Sequence, residues 1–323
     1  MRSWNFSVKN NRPKILQSIS PSAISESATA LRSGELVAIP TETVYGLAAI
    51  ASRTDAVQKI YSVKKRPTSH PLILHIAKTA DLAKWAVNVS KSAKILTTKY
   101  WPGPLTVIVE RSDLVSDAIT GGRSTVAIRC PNHSVALALL TELGDAVVAP
   151  SANRFGKVSP TSAEHVVRDL GGDVAIVLDG GECEIGLEST IVDCTVDPPQ
   201  LLRAGAITAE QIMTDCKIAV TSASGESRAP GMLDKHYAPN CKVIIAKNRD
   251  EAESIKNQHE VSGKSVEIID YGNDLKTYAH NLYARLRQAD LRQTDAVIAV
   301  MAPEHDLGVA INERLQKAAN SSN

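Results

Sequence analysis

Seven short apolar runs, separated by turns and helical stretches, fill the first two-thirds of this 323-residue chain and constrain its fold more than any other feature. The runs span 35–40, 71–77, 105–109, 125–130, 146–150, 174–178 and 190–193. Several are unbroken Val, Ile and Ala, the pattern of a sheet buried on both faces. Helical spacing is clearest before Gly34 and in 55–63, 92–100 and 134–143. Strands and helices in this order predict an α/β domain.

The texture changes near Cys216. Residues 221–240 are rich in Ser, Gly and Pro, lack periodicity and read as a linker. Three strand–helix units follow: strand 242–246, helix 250–257, strand 266–271, helix 274–289, strand 296–301 and helix 308–318. Within 274–289, Leu275, Tyr278, Leu282, Leu286 and Ala289 share one face. Such units predict a small parallel, Rossmann-like sheet with right-handed crossovers. The chain also exceeds the usual length of one hydrophobic core. The expected organisation is an N-terminal domain (1–214), a linker (215–240) and a C-terminal domain (241–323).

Charge narrows the partners. Thirty-six Lys/Arg against 35 Asp/Glu leave a net charge of +1, and from Cys241 onward 11 cationic residues face 12 acidic ones. Proteins that coat nucleic acid or anionic membranes carry a larger excess; a local cationic pocket remains compatible with these counts. The cysteines, Cys130, Cys183, Cys194, Cys216 and Cys241, form no C-x-x-C pair, so reduced thiols and no metal site are expected. No apolar run reaches the roughly 20 residues that span a bilayer. Residues 1–22 lack the apolar stretch of a signal peptide. The expectation is a cytoplasmic protein without a membrane role.

Ser262–Ser265 reads S-G-K-S, but Gln258 stands where a phosphate-wrapping loop needs glycine. No G-x-G-x-x-G, H-E-x-x-H or G-x-S-x-G occurs. A nucleotide site here must use another cradle. Several segments place polar residues at strand ends, where α/β sheets bind ligands. Pro40–Leu47 offers the Thr43 hydroxyl, or is an ordinary strand-to-turn join. Val63–His75 begins with Lys64, Lys65 and Arg66 at a helix end, cations that either complement the helix dipole or clamp a polyphosphate. Ala149–Thr161 runs from a strand into Ser151, Asn153, Ser159 and Thr161, which are helix caps or donors to an anion. Gly186–Asp193 and Leu201–Gly205 interrupt apolar runs with polar residues, and Arg129 closes another strand.

In this order PTETVYGL, KxRP-x3-PL-x2-H, WPGPLT (101–106), TVAIR-x-P, PSAN-x2-G-x2-SPT, ESTIVD and LLRAGAI closely resemble the threonylcarbamoyl-AMP synthase family. APGM (229–232), HYAP (236–239) and GVAINERLQKA (308–318) resemble its long, two-domain form. The resemblance implies an open, twisted mixed sheet with a concave site, plus a Rossmann-like C-terminal domain. It implies a nucleotidyltransferase that makes threonylcarbamoyl-AMP and pyrophosphate from L-threonine, bicarbonate and ATP with Mg2+. A tRNA-modifying threonylcarbamoyl transferase complex would act downstream.

Carried over by motif, Thr43, His75, Arg129, Ser151 and Ser189 would hold threonine. Lys64, Arg66, His70, Thr125, Asn153, Thr161, Arg203, His236 and Tyr237 would hold the nucleotide, with Lys64 and Arg66 serving catalysis. The chain departs from the family pattern at His70, where Asn is frequent, and at Phe155, where Ser is usual. It departs again at Leu233, Asp234 and Lys235, which replace a more basic, aromatic stretch. The linker would fold over the cleft as a lid and shield a labile mixed anhydride from water. Two other readings are a double-stranded RNA-binding module, disfavoured by the charge, and a carbamoyltransferase relative, whose zinc-finger or acylphosphatase-like segment the sequence does not show.

Overall fold

In the computed structural model, which describes residues 12–17, 20–78, 81–222 and 237–321, the strands gather into two sheets. The larger has twelve strands among the described residues and is mixed. Lys14–Gln17, Ile176–Asp179 and Val37–Ile39 run parallel. From Val37–Ile39 the pairing turns antiparallel through Gly46–Ile50, Val147–Val148 and Ile73–His75. Ile73–His75 is parallel to Thr125–Arg129, which runs antiparallel to Leu105–Arg111. Thr190–Asp193 lies parallel to Leu105–Arg111 and antiparallel to Gln200–Arg203. The edges are short. One is Lys14–Gln17, which follows Pro13 and opens with Lys14 paired to Glu26 at 2.6 Å; the other is the two-residue strand Thr221–Ser222.

Alternation along each strand sorts its side chains. Leu74, Val126, Ile128, Val107 and Val192 enter the main core. There they meet Leu31, Ile60, Leu96, Leu140 and Val166, each from a different helix: Pro21–Arg32, Thr54–Lys64, Lys91–Tyr100, Ser134–Leu143 and Ala163–Leu170. Their neighbours Ile73, Ile108, Ala127 and Ile191 form a separate small cluster with Leu202 on the opposite face. Five strands fall outside the sequence expectation: Lys14–Gln17, Gly46–Ile50, Ala86–Val87, Gln200–Arg203 and Thr221–Ser222, the last inside the expected linker. Gly46–Ile50 reads G-L-A-A-I, poor in β-branched residues, and its complete burial between neighbours overrides weak propensity.

The smaller sheet is parallel, as predicted. Ala296–Val300 lies between Lys242–Ala246 and Val266–Ile269. Each strand leads into a helix: Arg249–Val261, Leu275–Leu291 and Leu307–Ser321. The face predicted for the middle helix is buried, and part of it packs on the first sheet's loops: Val44, Val158 and Leu187 share a cluster with Tyr278, Leu282 and Tyr283. Gly186 (φ +80°) sits so close to this helix that a Cβ would stand 2.6 Å from the His280 carbonyl oxygen. Arg287 donates to the Val158 and Ser159 carbonyls and meets Asp169 at 2.6 Å. All five cysteines are free, and among the described residues no helix is long and apolar enough to cross a membrane. The expected lid, apart from its two ends, lies outside the described residues.

Gly205 is pressed close to backbone beside Thr190, where a Cβ would stand 2.4 Å from the Thr190 nitrogen. Gly205→Ala is expected to lose about 1–3 kcal/mol by overpacking. The reading is a lower urea midpoint with an unchanged m-value.

Candidate active site

Register assembles the site. His75 pairs with Arg129, and Arg129 with Thr106, so three polar side chains form a row across adjacent strands on the face opposite the main core. Ile73, Ala127 and Ile108, two residues along each strand, form an apolar row beside it. Thr43, Val44, Arg66, Ser151, Glu188, Ser189, Arg203 and Tyr237 close around His75 and Arg129 to line one cavity.

Thr41 shapes the first wall. Its hydroxyl accepts from the Thr43 and Val44 amides, each at 3.2 Å, and donates to the Val44 carbonyl at 2.6 Å. The turn holds Thr43 where its hydroxyl accepts from Arg129 Nη1 at 2.8 Å. Arg129 Nε donates to the Gly103 carbonyl, and Nη2 lies 2.8 Å from the buried Glu42 carboxylate. That last contact lacks hydrogen-bond alignment, so it is an ion pair held by proximity.

Burial, with the charge of Arg129 adding to it, pushes the His75 imidazole down to about 3, so the ring is neutral at neutral pH. Its Nδ1 lies 3.1 Å from the Ile73 carbonyl oxygen. A carbonyl only accepts, which puts the proton on Nδ1 and leaves Nε2 with a lone pair. Ser189 is fixed from two sides: its hydroxyl lies 2.7 Å from that of Thr106 and accepts from Arg203 Nη2 at 3.1 Å. Arg203 Nε donates to the Ser189 carbonyl at 2.9 Å.

Two further cations stand close together. Burial lowers Arg66 to about 10, and the charge of Arg203 adds to this; Arg203 is lowered in the same direction by its own burial. Both stay protonated at neutral pH. Arg66 donates to the Pro71 carbonyl at 3.0 Å and lies 5.6 Å from the centre of the Phe155 ring, which in turn lies 5.5 Å from His70. The two single-residue departures from the family pattern therefore touch each other beside Arg66.

Glu188 faces these cations. Burial raises its carboxyl, but the charges of Arg314 and Arg203 and hydrogen bonds from Ser159 and Tyr283 overcome that and hold it at about 2. Ser159 donates at 2.6 Å, Tyr283 at 2.8 Å and Arg314 Nε at 3.3 Å. Tyr237 stacks on Tyr283 at 5.5 Å and 23°, with the Arg314 guanidinium 5.6 Å from its ring centre.

Of the fourteen residues carried over by motif, Thr43, Arg66, His75, Arg129, Ser151, Ser189, Arg203 and Tyr237 line this cavity. Lys64 does not: its buried Nζ donates to the Ser151 and Asn153 carbonyls, both at 2.5 Å, and so braces the wall from behind. Asn153 turns its amide onto the Arg154 and Lys157 carbonyls, and Thr161 is buried beside His165. His70 stands in the loop after Arg66. Thr125 shares the face of Arg129 at the far end of its strand, where it lines a second hollow with Glu110 and Arg111. His236 lies outside the described residues. Sequence reasoning assigned nothing to Glu42, Thr106 or Glu188, although each stands inside a motif. It also passed over Tyr283, whose place on a helix signals only packing, and Arg314, which reads on its helix as a solvated charge.

Fold and cavity define a two-domain α/β protein with a cationic cleft. Residues 29–205 match the Sua5/YciO/YrdC family model, described as telomere recombination, and residues 207–320 match that of the threonylcarbamoyl-AMP synthase C-terminal domain. Threonylcarbamoyl-AMP synthases of Pyrococcus abyssi and Bacillus subtilis are 40% and 41% identical to this chain, over 90% and 92% of it and 92% of each relative. The structure of P. abyssi Sua5 complexed with L-threonine superposes with a TM-score of 0.89 at 38% identity, covering 96% of this chain and 98% of that one. The chain belongs to the threonylcarbamoyl-AMP synthase family.

His75 generates a pH prediction. Its folded pKa lies below the ordinary 6.5, so the unfolded chain takes up the proton first, and stability falls as pH drops from 6.5 toward 3. His165, pushed down to about 4 by burial, acts in the same sense. Replacing His75 with Asn is expected to flatten the acid limb of the stability profile by up to about 1.4 kcal/mol per pH unit. Urea midpoints collected from neutral to acid pH measure it.

Proposed function

We propose that this chain makes threonylcarbamoyl-AMP and pyrophosphate from L-threonine, bicarbonate and ATP, supplying the precursor of N6-threonylcarbamoyladenosine in tRNA. The observation that carries the reading is the composition of one cavity. A neutral imidazole, Arg129 and the Thr43 and Ser189 hydroxyls, which suit an amino acid, stand beside the buried cations Arg66 and Arg203, which suit phosphates. P. abyssi Sua5, the relative solved with L-threonine, supports the same assignment.

In this reading Arg129 faces the substrate carboxylate and His75 Nε2 accepts from the amine. So weak a base orients the amine and does not deprotonate it. The amine lone pair attacks carbon dioxide derived from bicarbonate, a C–N bond forms, and the amine proton passes to solvent. A carboxylate oxygen of the N-carboxythreonine then attacks the α-phosphorus in line, the bond to the β-phosphate oxygen breaks, and pyrophosphate leaves. Arg66 and Arg203 stabilise the charge that develops on the phosphate oxygens. Mg2+ would arrive with the nucleotide, held by its phosphates and water, and would neutralise phosphate charge there. Residues 1–214 carry the chemistry, 215–240 connect and contribute Tyr237, and 241–323 back the cavity through Tyr283 and Arg314 on Glu188. The product would pass in the cytoplasm to a threonylcarbamoyl transferase complex.

Pyrophosphate release is expected to need L-threonine and bicarbonate together, because the nucleophile toward ATP does not exist until the amine has captured carbon dioxide. The assay runs in degassed, bicarbonate-free buffer with bicarbonate then restored. A full rate with ATP and threonine alone would mark an ordinary amino-acid-adenylating enzyme and overturn the proposal. Arg66→Ala is expected to lower turnover at least about a hundredfold.

A further inference from the structure

Glu188 occupies an unusual position: it lines the cavity, yet most of its partners come from beyond the linker. Tyr283 belongs to helix Leu275–Leu291 and Arg314 to Leu307–Ser321, and both reach its Oε2; Ser159 takes Oε1. Every member is buried, Arg314 to within 1% of full exclusion. On the cavity side Glu188 also feels the charge of Arg203. One carboxylate thus sits between a cation of the cavity and a cation of the C-terminal domain.

We propose that Arg314 is a positioning residue of the cavity, acting through Glu188 to keep Arg203 available to an anionic ligand, so that C-terminal domain docking and phosphate binding are coupled. Arg314 is shared with the half-buried Glu313, 3.1 Å from its Nη1, but it still sets a cation behind Glu188, so that the carboxylate is not left to Arg203 alone. Without it, a buried carboxylate has Arg203 as its nearest cationic partner, draws that guanidinium onto itself and repels any incoming phosphate. Coupling is reciprocal. An anion on Arg203 leaves Glu188 to Arg314, so the loaded cavity holds the C-terminal domain more firmly. Arg287 offers the control, because it fastens another helix of the C-terminal domain, Leu275–Leu291, to the Val158 and Ser159 carbonyls while its charge is matched by Asp169.

The inference rests on the phosphate-binding reading of the cavity, and its test requires no turnover. Inorganic pyrophosphate and, separately, L-threonine are titrated calorimetrically into the full-length chain and its variants, each first shown folded by thermal melting. Arg314→Gln is expected to weaken pyrophosphate binding about tenfold or more, within the usual range of coupling between sites, and to leave threonine within about twofold. Arg314→Lys, which keeps the charge, should bind pyrophosphate close to wild type. The double variant Glu188→Gln with Arg314→Gln, which leaves no carboxylate at this position to draw Arg203 away, should recover most of the lost affinity. Arg287→Gln should lower the melting temperature without this selective loss. Unchanged pyrophosphate binding in Arg314→Gln, no recovery in the double variant, an equal loss in Arg287→Gln, or no pyrophosphate binding by the wild type would each overturn the proposal. Selective loss with recovery, in a protein that releases no pyrophosphate from ATP, would leave the coupling standing and sink the synthase reaction instead.

Discussion

Three guanidinium groups held out of water set the terms for the rest of this molecule. Arg66, Arg129 and Arg203 are each at most 8% exposed, and an isolated buried charge costs more than a domain's whole net stability. The fold answers with fixed acceptors. The Pro71, Gly103 and Ser189 carbonyls each take an arginine N–H, and Glu42 and Glu188 bring negative charge. Two carboxylates beside three guanidinium groups, with one carboxylate shared by Arg314, leave the cleft positive. A surface lysine cluster could attract phosphate equally well. It could not hold a phosphoryl group at one distance and angle, because flexible, hydrated ammonium groups have no fixed geometry.

The sheet supplies the rigidity this needs. The polar row lies on three hydrogen-bonded strands, so the spacing of His75, Arg129 and Thr106 follows from strand geometry and not from side-chain choice. The loop residues that complete the cavity are each tied to that row: Thr43 through Arg129, Ser189 through Thr106. Lys64 contributes by bracing the Ser151–Asn153 wall, an arrangement in which a cation inside a recognisable motif serves the backbone.

Much of this was legible in the sequence, and the rest fails for identifiable reasons. Unbroken β-branched runs announced the buried strands, and heptad-like spacing announced the buried face of helix Leu275–Leu291. Gly46–Ile50 escaped because alanine-rich strands carry no local signature. Motif resemblance found eight of the residues lining the cavity, but it could not say that Lys64 turns away from it, since side-chain direction depends on carbonyls contributed by residues 87 and 89 positions later. Arg314 was invisible for the complementary reason. On a helix it reads as a solvated charge, and only tertiary contact across 126 residues pairs it with Glu188.

The short edges of the large sheet carry a consequence of another kind. A twelve-strand sheet exposes two rows of unpaired amide and carbonyl groups, and such rows template the growth of fibrils and aggregates. Among the described residues one border is a four-residue strand preceded by Pro13 and headed by a charged lysine, and the other spans two residues. Strands this short offer a second chain little ladder to zip onto. The same brevity that makes these strands hard to read in the sequence shortens the ladder that the described edges offer to another backbone.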